Sequence, residues 1–182
     1  MHHASYQVIE ACNETHPFLG DVAMMEQVAK GKLVEAMFVA HADCSGMGKG
    51  NVTVVTEPAK DKGVIANKCF KKGECKLVCV TANVTRVHRT EPVGKESIAT
   101  VTHGNKVFGY QLKAHMVTPS DANQTPACIP FWYVQDTAAS RAVTAAYTKF
   151  EITLGEFKVC LPQCVNTVPL KKGDTILKAA SA

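Results

Sequence analysis

A chain of 182 residues, 46% apolar and 20% charged, suits one domain with a sizeable core and lies well away from disordered composition. Its net charge of +4 permits a basic patch without demanding nucleic acid. No stretch approaches the roughly 20 apolar residues of a membrane-crossing helix, and the opening MHHASYQVIEACNETHPF lacks the basic-then-apolar pattern of a signal peptide.

Residues 21–29 (DVAMMEQVA) are apolar at helical spacing, with Asp21 placed to cap the helix. Gly31 weakens any continuation. Residues 32–42 (KLVEAMFVAHA) fit either a second half-helix or a buried strand. The run SGMGKG at 45–50 reads as a flexible loop. It lacks both ends of a phosphate-binding loop, because position 43 is aspartate and position 50 is glycine. Beyond it the chain becomes rich in valine, threonine, isoleucine and aromatics. Short strands are expected at 51–56, 77–87, 97–102, 107–116, 129–135, 150–154 and 157–161, punctuated by Gly, Pro, Asn and Asp. Leu154-Gly155-Glu156-Phe157 has the form of a tight hairpin. The longest polar loop is 118–126, and the alanines of 138–147 favour a late helix.

The eight cysteines and the sequons at Asn13, Asn51, Asn83 and Asn123 fit a secreted, disulfide-bonded protein, whereas the absence of a leader pattern fits buried thiols inside the cell. Cys75-x3-Cys79 and Cys160-x3-Cys164 have zinc-ligand spacing, but on a strand the members of each pair stand about 13 Å apart. No metal site is expected. His41 and Cys44 are close in sequence without an orienting partner.

One feature is doubled. Phe70-Lys71-Lys72-Gly73-Glu74 returns a hundred positions later as Leu170-Lys171-Lys172-Gly173-Asp174, and apolar pairs follow each copy, Leu77-Val78 and Ile176-Leu177. Each copy suits a glycine-containing turn entering a strand. The first, from Gly63-Val64-Ile65-Ala66 through Gly73-Glu74 to Leu77, resembles the opening signature of SET-type domains. The second, Leu170 to Ile176, resembles their closing turn. This likeness to the SET-like, β-clip family spans roughly residues 58–179 and implies small sheets folded over one another.

The resemblance also implies transfer of a methyl group from S-adenosylmethionine to lysine, and the residues for that chemistry are missing. Asp61 replaces the first glycine of the family's Gly-x-Gly turn. Nothing between Val117 and Pro169 matches the Asn-His-Ser-Cys segment, and TILKAASA after Asp174 holds no tyrosine. If the pocket survives, Gly63 and Ala66 line it, and the chain is an atypical protein-lysine methyltransferase.

The expectation is therefore a mainly β protein with one or two helices, chiefly N-terminal. It is read as a single domain over 1–182, with a partly helical lead over 1–57 and the SET-like region over 58–179. Its expected role is non-catalytic: a binding or structural-interaction module without cofactor, working inside the cell. Its partner is a protein rather than a membrane, and nucleic acid is not indicated. The aromatic run Phe131, Trp132, Tyr133 and the basic residues Arg86 and Arg89 are the candidate contacts. A small secreted or viral-coat-like β protein is the remaining alternative, and applies if the sequons and cysteines are used.

Overall fold

The computed structural model describes residues 19–48, 50–55, 63–87, 98–114 and 129–180. The protein is mainly β. Ten strands follow one long helix, α1 (Leu19–Asp43). The strands are β1 (Val52–Val55), β2 (Gly63–Ala66), β3 (Lys76–Val78), β4 (Asn83–Val87), β5 (Ile98–His103), β6 (Lys106–Lys113), β7 (Gln135–Thr137), β8 (Ala145–Leu154), β9 (Phe157–Asn166) and β10 (Thr175–Ala179). They pair in the order β1-β2-β10-β8-β9-β5-β6-β4, while β3 joins β9 and β7 joins β10.

α1 is continuous where two pieces were expected. Asp21 falls in its first turn instead of capping it, and Gly31 interrupts nothing. Packing overrides the weak propensity of one glycine. Met25, Ala29, Leu33, Ala36 and Ala40 recur at helical spacing and are buried. This stripe lies on the sheet formed by β5, β8 and β9. Its three alanines let the helix approach closely, and burying Leu33 alone contributes about 2 kcal/mol.

The doubled turns clasp each other. Phe70 and Leu170 form an antiparallel bridge, donating to each other's carbonyls at 2.9 and 2.8 Å. Gly73 N–H donates to the Asn166 carbonyl at 3.0 Å, and Gly173 N–H to the Ala66 carbonyl at 2.8 Å. Each bond has its counterpart with the two halves exchanged, so an approximate two-fold axis passes through the bridge. Both turns place glycine at positive φ, 80° for Gly73 and 97° for Gly173, as turns of type II require. In each, the acid reaches back to the backbone N–H of the first lysine, Glu74 to Lys71 at 3.3 Å and Asp174 to Lys171 at 2.8 Å.

The strands continue the exchange. β3, leaving the first turn, pairs with β9, which enters the second. β10, leaving the second turn, pairs with β2, which enters the first. Leu77 faces Cys164, and Ile176 faces Val64. The halves differ by one residue, because Cys75 is extra in the first. Its buried N–H is accepted by the side-chain oxygen of Asn166 at 2.9 Å. The amide of Asn166 donates to the carbonyls of Lys71 at 2.8 Å and Val168 at 2.9 Å. The inserted residue is thus satisfied by a side chain from the opposite half, where the first half has Ala66.

Three other expectations change. The run 45–50 is no open loop: Ser45–Met47 is a 3-10 turn lying along β3. Ser45 Oγ donates to the Glu74 carbonyl, and Val78 N–H meets Met47 Sδ at 3.4 Å. The segment 77–87 is two strands, β3 and β4, rather than one. Residues 138–147 form a 3-10 turn at Ser140–Ala142 and then the start of β8, not a helix. Pairing of Ala145 and Ala146 with Asn166 and Val165 outweighs alanine's helix propensity. The 154–157 hairpin is as expected, with Gly155 at φ 62° and Leu154 opposite Phe157. The polar loop at 118–126 lies outside the described residues.

Candidate functional site

Phe131-Trp132-Tyr133 lies in a 3-10 turn, Pro130–Tyr133, rather than in a strand. The proline supplies the fixed φ that starts such a turn. A 3-10 turn sends consecutive side chains in different directions. Phe131 and Tyr133 go into the core, and Trp132 stays half-buried. Trp132 is fixed twice: its indole N–H donates to the Val80 carbonyl at 3.3 Å, and its ring meets Phe131 edge-on at 5.3 Å.

The free side of Trp132, with Ile129, forms the floor of an open groove of about 660 Å³. One wall is α1, through Lys30, Val34, Met37, Phe38 and His41. The opposite wall is Val80, Thr81 and Ala82, with Val84 of β4. The α1 residues form a second stripe beside the buried one, so the helix is apolar on more than its core face. Phe38 is 71% exposed and Val34 is 41% exposed, an arrangement that costs solvation unless something covers it. Lys30 and His41 stand about three helical turns apart, one toward each end. Among the described residues neither is paired with an acid, and no acid lines the groove.

Several polar groups in the wall opposite α1 are already bonded. The Val80 carbonyl is taken by Trp132. Cys79 N–H donates to the Pro162 carbonyl at 2.8 Å. Thr81 Oγ1 accepts from Asn83 N–H at 3.1 Å and donates to the Lys113 carbonyl at 2.7 Å. The groove therefore offers mainly apolar surface, with the edge strand β4 reaching it at Val84.

The other candidates lie elsewhere. Arg86 is committed to internal contacts. Its guanidinium lies over the rings of Phe108 at 5.3 Å and Tyr110 at 5.7 Å, pairs with Glu26 of α1 at 3.6 Å, and donates to the Gly109 carbonyl at 3.1 Å. It ties α1 to β4 and β6. Arg89, and with it His88 and Lys95, lies outside the described residues. Gly63 and Ala66 are buried in β2, between β1 and β10. Ala66 donates its N–H to Asp174 and accepts from Gly173. The backbone N–H and C=O of Ala66 are thus both used by the clasp.

Among the described residues no group of three or more metal-ligating side chains converges. The six described cysteines are thiols. Burial pushes the Cys75 thiol up to about 12, with the Glu74 charge adding to the effect, and raises Cys79 further. Burial also raises Cys44, opposed by Lys76 and helped by Asp43. Such thiols are poor nucleophiles at neutral pH. His41 faces the groove while Cys44 lines a separate recess beside Glu74 and Phe150, so no Cys/His pair forms. Of the sequon asparagines, Asn51 donates its amide to the Ser45 carbonyl at 2.6 Å, whereas Asn83 is exposed at the start of β4. Asn13 and Asn123 lie outside the described residues.

No protein-family model matches the chain, and no curated protein matches it. Sequence reasoning picked out Trp132 but missed the helix face and the 80–84 wall. The one available signal was the excess of apolar residues on α1, where Val34 and Phe38 exceed what a single core-facing stripe needs.

Proposed function

We propose that this protein is a non-catalytic binding module of SET-like, β-clip architecture that docks a protein partner in the α1–Trp132 groove. The observation that carries the reading is the exposed apolar face of Val34 and Phe38 over a floor built on an anchored tryptophan. Anchored aromatic floors with apolar walls are where binding energy concentrates in protein interfaces. The reciprocal clasp of the two Lys-Lys-Gly turns supports the β-clip part of the reading. The consumed backbone of Ala66 and the raised thiols weigh against methyl transfer and against cysteine chemistry. In this reading the chain works inside the cell, where reducing conditions preserve buried thiols.

Trp132 is the only tryptophan, which makes the groove self-reporting. Titration with anilinonaphthalene sulfonate, an apolar body with an anionic head, should quench Trp132 by energy transfer in the folded protein. Phe38→Ser should weaken this without lowering the melting temperature. Methyl transfer to a lysine peptide, or micromolar binding of S-adenosylmethionine, would sink the non-catalytic reading. Absence of any dye response in the folded protein would sink the groove.

No helix among the described residues is long and apolar enough to cross a membrane.

A further inference from the structure

We propose that the groove's occupant is an amphipathic helix of a protein partner, with acidic residues near both ends of its apolar face. The inference rests on the binding reading above and specifies the partner.

The first argument is backbone satisfaction. An extended peptide brings a row of N–H and C=O groups that need partners. The α1 wall offers only side chains, and in the opposite wall the Val80 carbonyl and the Asn83 N–H are already bonded to side chains. An extended occupant could pair only along the outer edge of β4 and would bury the rest of its backbone against phenylalanine and tryptophan. A helix bonds its backbone internally and presents side chains alone.

The second argument is shape. Lys30, Val34, Phe38 and His41 follow i, i+4, i+8, i+11 spacing along α1. Such a ridge packs against the grooves of another helix. The run from Lys30 to His41 is roughly 16 Å long, which matches three turns of an occupant.

The third argument is charge. One end of the groove carries the Lys30 ammonium and the other the His41 imidazole, a donor in either protonation state, and among the described residues no acid lines the space between. A second copy of this chain, docking through the same face, would set Lys30 and His41 of one copy against those of the other. Acidic residues about three turns apart on a different protein complement the ends.

The test uses fluorescent peptides of about 14 residues, four helical turns, sharing one Leu/Ile face and differing only in end charges: acidic, neutral or basic. Binding is read by peptide anisotropy and by Trp132 fluorescence, and helix formation by circular dichroism. The acidic peptide should bind about tenfold tighter than the basic one and gain helicity on binding. In Lys30→Glu the order should reverse. A proline in the middle of the acidic peptide should abolish binding.

Equal affinity for all three charges, or an unchanged order in Lys30→Glu, overturns the acidic-end assignment. Tight binding of the proline peptide overturns the helix. Dye binding without any peptide binding overturns this inference while leaving the groove as a site. Concentration-dependent dimers that dissociate in Phe38→Ser assign the face to a second copy and overturn it as well. Failure of dye and peptides together removes the binding reading itself.

Discussion

Phe70 and Phe38 occupy opposite situations in one small protein. Phe70 is 2% exposed, bridges Leu170, and sits where two halves of the chain supply each other's hydrogen bonds. Phe38 is 71% exposed on a helix whose neighbouring stripe is fully used by the core. The clasp is closed: even the extra residue Cys75 has its N–H met by Asn166. The groove is open: it gathers Trp132, Val80 and Val84 with Phe38, and Phe38 itself stays in water. The same chain satisfies one inserted N–H from across the fold and leaves a phenylalanine exposed on its helix; such departures from local consistency are what the proposed docking role would account for.

This contrast can be broken at several points. Phe70→Ala should destabilise most, by about 3–5 kcal/mol in urea melts, because it empties the centre of the clasp. Gly46→Ala should follow at about 3 kcal/mol. A β-carbon there would lie 2.4 Å from the Lys76 carbonyl oxygen, so the 3-10 turn must lift from β3. Hydrogen exchange should locate the damage at the Val78 amide, which loses Met47 Sδ. Asn166→Ala strands the Cys75 N–H and two carbonyls, and should cost about 2 kcal/mol.

Alkaline pH gives a milder test. The Cys75 thiol ordinarily titrates near 9.0 and is raised to about 12 in the folded protein. The folded state therefore holds its proton where the unfolded chain releases it. The stability this confers is complete below pH 9 and is lost as pH rises from 9 toward 12. The urea midpoint should fall over that window, and less steeply in Cys75→Ala. Smallest of all, Phe38→Ser should change stability by no more than about 0.5 kcal/mol while removing dye and peptide binding. A large loss of stability there would mean that Phe38 belongs to the core after all.

Parts of this were legible in the sequence for physical reasons. Gly73, Gly173 and Gly155 mark turns because few other residues accept their positive φ. The repeated Lys-Lys-Gly-acid unit announced two related turns, though not that they bind each other. The helix beyond Gly31, the strand through Ala145 and Ala146, and the 3-10 turns at Ser45 and Pro130 were hidden, because packing overrules local propensity in each. The groove was hidden for a different reason. Its walls come from residues near 30–41, 80–84 and 129–132, and no local pattern reports such a meeting.

The exchanged strands also set an order of events during synthesis. β2 (Gly63–Ala66) is made well before its partner β10 (Thr175–Ala179), and β3 must wait for β9. Folding of the clasp is therefore dominated by contacts distant in sequence, which are slow to close. Until β5, β8 and β9 have formed, the core-facing stripe of α1 also waits in solvent. A chaperone that shields the helix during that interval would also cover Val34 and Phe38, which stay exposed after folding is complete.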